Sequence, residues 1–190
     1  MRISHILRLI ALVVTLTALS SANGRAEVDL LKNDRLIEAA KSGDLKSAEG
    51  LLNRKHNIET RDQNGRTPLM FAAGRGNEDF VELLVKHNAK LDALDKFGNS
   101  PLYYAAAGNH AGVTEILLES GAKSSLQNRR GLTPLMIAAS EGHLSTVQAL
   151  IDSNADPMLT DFTGRTAWEW AHRGNRGRVL RYLQAVGIDR

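Results

Sequence analysis

The sequence contains no cysteine. Disulfides, thiolate metal sites and cysteine nucleophiles are therefore all excluded. Aromatic residues make up only 5% of it, so any aromatic side chain placed outside the core stands out as a candidate contact. No Gly-x-Ser-x-Gly elbow is present for nucleophilic catalysis. No phosphate loop is present either: Gly74-Arg75-Gly76 has no third glycine and falls between two expected helices rather than after a strand. Charge of one sign is not in large excess. Lys and Arg number 24 against 21 Asp and Glu, a formal net of +3.

The one long apolar run, Leu9 to Leu19, is shorter than the ~20 residues that span a bilayer comfortably. Arg2 and Arg8 precede it, and small or polar residues follow, including Ala22 and Ala26. That is the three-part layout of a secretory signal peptide, expected over residues 1–26 with cleavage after Ala26 or Ala22. Its brevity suggests a bacterial, periplasmic destination. Secretion, or anchoring by an uncleaved signal, is the alternative. A cut at Ala26 removes Arg2, Arg8 and Arg25 and leaves 21 basic and 21 acidic residues. The high isoelectric point, about 9.3, therefore belongs to the targeting segment and does not argue for a nucleic-acid partner.

What the sequence does have is self-similarity. Thr67-Pro68-Leu69-Met70, Ser100-Pro101-Leu102-Tyr103, Thr133-Pro134-Leu135-Met136 and Thr166-Ala167-Trp168-Glu169 begin 33 residues apart. Asp34-Arg35-Leu36-Ile37 continues the series backwards in degenerate form. A fixed period of this length means stacked supersecondary units. In one unit, Asp62…Gly65 forms a turn. Thr67 is an N-cap with Pro68 at the first helical position. Leu69, Ala72 and Ala73 make an apolar stripe, and Gly76 ends the short helix. Glu78 and Asp79 open a second helix whose Val81, Leu84 and Val85 face inward. Asn88 suits a left-handed cap, and Gly121, Asn154 and Gly187 recur at the same place.

These residues resemble the ankyrin repeat: turn Asp and Gly, Thr-Pro-Leu anchor, Ala-Ala pair, Gly-His, an aliphatic stripe, then Gly-Ala. The resemblance implies an all-α solenoid of helix–turn–helix units with short β-hairpin fingers along one edge. The expected units are an N-terminal capping repeat at 30–62, repeats at 63–95, 96–128 and 129–161, and a C-terminal capping repeat at 162–190. The family's anchor usually ends in His, whereas here Met70, Tyr103 and Met136 stand there, so apolar packing is expected to replace a His–Thr hydrogen bond. The first unit departs further, with Arg35 at the Pro position and Lys55 at the C-cap. In the last unit Trp168 and Trp170 add bulk to the end of the core.

Few residues invite a chemical reading. His110 and His143 lie one period apart, but a metal site needs three or four converging ligands, and both are expected to cap their own second helices. His56, His87 and His172 complete no known motif. No catalytic residue, metal or cofactor is expected. The resemblance implies protein binding through finger tips and outer first-helix positions. By register that face includes Arg66, Arg75, Lys96, Arg129, Arg130, Arg165 and Arg173, seven cations against one acid, Glu141. Phe97 and Phe162 fall at finger tips, where they either anchor a partner or fold back over the turn. The sharpest expectation is a non-catalytic interaction module whose basic face takes an acidic protein or peptide. A polyanion or anionic surface is the alternative occupant. A small hydrolase or metal-binding protein is the remote one.

Overall fold

The structure, a computed structural model, describes residues 35–189. The expected signal segment with Ala22 and Ala26, and the opening residues of the first unit, lie outside that range. Helices α1 (35–42), α2 (Leu45–Asn53), α3 (Pro68–Arg75), α4 (Glu78–Lys86), α5 (Pro101–Ala107), α6 (Ala111–Glu119), α7 (Pro134–Glu141), α8 (Leu144–Asp152), α9 (Ala167–Arg173) and α10 (Gly177–Ala185) alternate between two rows. First helices α3, α5, α7 and α9 pack side by side. Second helices α2, α4, α6, α8 and α10 form the other row.

Each first helix starts where its anchor predicts. Thr67, Ser100, Thr133 and Thr166 all hold extended backbone and accept a hydrogen bond from the N–H three residues on. Ala72, Ala73, Ala105, Ala106, Ala138 and Ala139 are fully buried. Side chains this small let neighbouring first helices approach closely. Larger side chains fill the space between the rows: Phe80, Val81 and Leu84 from α4, Leu117 from α6, Leu150 from α8 and Leu183 from α10. No unit could bury these faces alone, which is why the stack holds as a whole. Met70 and Met136 are buried where the family carries His, and the Met70 sulfur also accepts the Thr67 N–H at 3.4 Å. In the last unit a polar partner returns: Glu169 Oε2 accepts the Thr166 N–H at 2.7 Å. Lys55, Asn88, Gly121, Asn154 and Gly187, equivalent positions after the second helices, all hold positive φ.

Two expectations need correction. Among the described residues no β-strand forms, so the fingers are tight turns rather than hairpins. Each arm is too short for a ladder; Asp62 N–H donates to Arg66 O and Gly65 N–H to Asp62 O, and the turn is closed. His110 and His143 do occupy N-cap positions, yet neither side chain caps its own helix. They reach back to the preceding unit instead. His110 Nε2 donates to Gly74 O and His143 Nε2 to Ala107 O, each at 3.2 Å. Arg176, one period further, donates from Nε to Ser140 O at 2.7 Å. The last carbonyls of a helix lack internal partners, and these side chains supply them across the joint.

A second set of bonds joins the fingers. Lys96 N–H donates to Asn64 O at 2.9 Å, Arg129 N–H to Phe97 O at 3.0 Å and Phe162 N–H to Arg130 O at 3.2 Å. A third set joins the loops after the second helices: Glu59, Asp92 and Ser125 side chains accept the N–H groups of Lys90, Lys123 and Asp156. Each net hydrogen bond stabilises by roughly 1 kcal/mol. Their larger effect is to set the spacing of the fingers.

Candidate protein-interaction surface

The fingers and the first helices meet along one edge of the stack. Residues 71, 104 and 170, equivalent positions on α3, α5 and α9, turn back onto their own fingers. The Arg66 guanidinium lies 4.4 Å from the Phe71 ring centre. Tyr104 O–H donates to Asp95 Oδ2 at 2.6 Å. Trp170 Nε1–H donates to Asp161 Oδ2 at 3.2 Å. Each turn aspartate also accepts two backbone N–H groups of its finger: Asn64 and Arg66 on Asp62, Phe97 and Asn99 on Asp95, Thr163 and Arg165 on Asp161. In the third finger Asn128 takes the same role and donates through Nδ2 to Asn99 Oδ1 at 2.8 Å.

These contacts displace the titrations of the groups involved. Burial pulls the Asp62 and Asp161 carboxyls upward, but hydrogen bonds outweigh it and hold both below the ordinary value. Burial pushes the Tyr104 phenol up to about 12, reinforced by its bond to Asp95.

The nine predicted contact residues divide into two groups. Arg66 and Arg165 are half-buried and engaged within their own fingers. Arg66 pairs with Asp62 at 2.8 Å, so its charge is neutralised locally. Arg165 lies 5.6 Å from the Trp170 ring centre and donates to Thr163 Oγ1. Both side chains are thus tied to their own fingers. Arg75, Lys96, Arg129, Arg130 and Arg173 are exposed, and among the described residues no ion pair engages them. Phe97 is 59% exposed and Phe162 74% exposed. Neither folds fully back over its turn, although the Phe162 ring borders Gly131 of the preceding finger.

Sequence reasoning missed a cavity on this edge. Tyr103, Arg130, Leu132, Met136, Ile137, Ser140, Glu141 and Trp170 enclose about 190 Å³ between the third finger, α5, α7 and α9. Burial pushes the Tyr103 phenol up; Arg130 opposes this, while Glu141 and Asp95 add to it, so charges of both signs act at the cavity wall. Its signal lay in the register 71, 104, 137, 170, which reads Phe, Tyr, Ile, Trp. Elsewhere, among the described residues, no group of His, Asp and Glu is arranged to hold a metal, and no helix is long and apolar enough to cross a membrane.

The stack of helix pairs and the coupled fingers define a helical repeat scaffold. A family model described as ankyrin repeats, in three copies, matches residues 36–128 and again 112–189. The chain belongs to the ankyrin-repeat family. Compared with curated proteins, it has no significant match. Ankyrin repeats are generally protein–protein interaction modules, and the fold is typically non-enzymatic.

Proposed function

We propose that this chain is an exported, non-catalytic module that captures an acidic protein or peptide segment on its finger and first-helix edge. The observation that carries the reading is the alignment of charge and apolar contact on a rigid rim. Arg129 and Arg130 are exposed on the third finger, and backbone hydrogen bonds couple that finger on either side to those bearing Phe97 and Phe162. Lys96 extends the charge along the fingers; Arg75 and Arg173 extend it to the ends of α3 and α9. A prearranged rim loses little freedom on binding. Its cations would steer an acidic partner and set its register, while the two rings supply contact area.

Export rests on Arg2, Arg8, the run Leu9–Leu19 and the small residues at Ala22 and Ala26, and the periplasm is the proposed destination. Cell fractionation with N-terminal sequencing tests this; recovery from the cytoplasm with Met1 intact would sink it, whereas an intact Met1 on an exported chain would point to an uncleaved anchor. The binding face is tested by the double variant Arg129→Glu, Arg130→Glu. Capture of a saturable protein partner at physiological salt should fall by at least about tenfold. Unchanged capture would remove the basic face from the reading. Binding to any polyanion alike, collapsing with salt, would point instead to a surface that recognises charge alone.

A further inference from the structure

The unit at 129–161 lacks the ring that its neighbours carry. Positions 71, 104, 137 and 170 are Phe, Tyr, Ile and Trp. In the other three units the ring meets its own finger, through the Arg66 guanidinium, Asp95 or Asp161. In the unit at 129–161, Ile137 has no polar tip to offer, and Leu132 stands where Arg66, Asn99 and Arg165 stand elsewhere. The space left over is the cavity of about 190 Å³. Tyr103 and Trp170 wall it, and Leu132, Met136 and Ile137 line it. The volume is below the ~300 Å³ at which small-molecule sites begin. It suits a single large side chain.

The charges around this cavity are unequal. Glu141 has a cation already, the Arg176 guanidinium at 3.9 Å. Arg176 is held in place by its bond to Ser140 O. Arg130 is exposed and, among the described residues, has no acidic partner. An apolar group entering the cavity would therefore pass an unmatched positive charge.

We propose that the cavity receives one aromatic or large aliphatic side chain from an acidic partner segment, and that a carboxylate beside that side chain pairs with Arg130. The partner's side chain completes the row of rings that Ile137 interrupts. This deepens the proposed function and rests on it: the basic rim supplies attraction, and the cavity selects which acidic segment stays bound. Selectivity then comes from burying a ring between Tyr103 and Trp170, because a charged rim alone distinguishes acidic sequences poorly.

The test uses the full chain and fluorescein-labelled acidic peptides that differ only at a central phenylalanine, leucine or alanine. Binding is followed by anisotropy. The phenylalanine peptide should bind about 30-fold more tightly than the alanine peptide, the size of a buried anchor. The advantage should vanish in Ile137→Trp and in Ile137→Phe, which fill the cavity with side chains that the neighbouring units already accommodate. Thermal unfolding confirms that each variant is folded. Trp168→Phe leaves Trp170 as the sole tryptophan, and the phenylalanine peptide should then shift Trp170 emission. Peptides that bind equally well whatever their central residue, yet are lost in Arg129→Glu, Arg130→Glu, would overturn the cavity and leave the basic face standing. A phenylalanine preference unaffected by charge reversal would do the opposite: the anchor would stay and the carboxylate pairing and basic face would fall. No peptide binding at all would overturn both.

Discussion

Replacing one glycine in two different fingers separates local backbone strain from finger-to-finger contact. Gly131 and Gly164 occupy the same turn position one period apart, with φ of +76° and +80°. Alanine at either site must adopt left-handed backbone, at roughly 1–2 kcal/mol. The gain from a less flexible unfolded chain, ~0.4–1 kcal/mol, is common to both and cancels in the comparison. The surroundings differ. A Cβ on Gly131 would lie 2.7 Å from the Phe162 backbone nitrogen and 3.0 Å from Asp161 Cα, whereas a Cβ on Gly164 meets nothing within 4 Å. Phe162 N cannot swing aside as a side-chain tip could, because its N–H is bonded to Arg130 O. Relieving the clash moves the fourth finger, an overpacking cost of ~1–3 kcal/mol. Gly131→Ala should therefore destabilise by about 1–3 kcal/mol more than Gly164→Ala, the shared backbone terms having cancelled. For a stack of this length that is a further fall in Tm of roughly 2–12 °C. Circular dichroism melting measures both, and amide exchange at Phe162 should accelerate only in Gly131→Ala. Equal losses in the two variants, with Phe162 exchange unchanged, would refute the claim that neighbouring fingers are in rigid contact.

Other outcomes follow from the same structure. Thr133→Ala removes a buried cap whose Oγ1 accepts the Met136 N–H at 3.2 Å; it should cost about 1–2 kcal/mol, seen as a lower midpoint in urea. All three tyrosines should ionise above the ordinary phenol value in an ultraviolet titration, since burial is the largest cause raising each. For Tyr104, raised to about 12, the protonated form is the one favoured by folding. Stability is then full below pH 10 and falls as the pH climbs towards 12, an alkaline loss that Tyr104→Phe should blunt. The Asp62 and Asp161 carboxyls are held below 3.8, so the fingers should keep their full stability above that pH and lose it as the pH falls through the lower folded values. Asp161→Asn should make acid unfolding by circular dichroism shallower.

The repeat was legible in the sequence because each unit's turn, cap, small-residue stripe and left-handed cap are local. Asp62, Thr67, Ala72, Gly76 and Asn88 state their conformations through their own chemistry, and five copies state them together. Even Lys55, a poor candidate for positive φ, followed its register. Less of the binding edge could be read. Exposure of Phe97 and Phe162 followed from their turn positions. The loss of Arg66 to Asp62 did not, because a side chain at a finger tip can point outward or curl onto its own turn. Only the folded geometry chooses between them.

Sequence alone determined that the chain is a row of helical hairpins, since a period of 33 repeated with the right caps admits one kind of packing. Tertiary structure alone decided how neighbouring units are tied and which surface remains open. His110, His143 and Arg176 cross the joints to carbonyls 36 residues back, and Ile137 leaves a cavity whose walls come from three different units. Contacts between units depend on the distance between helices, and that distance is set by the whole stack rather than by any single repeat.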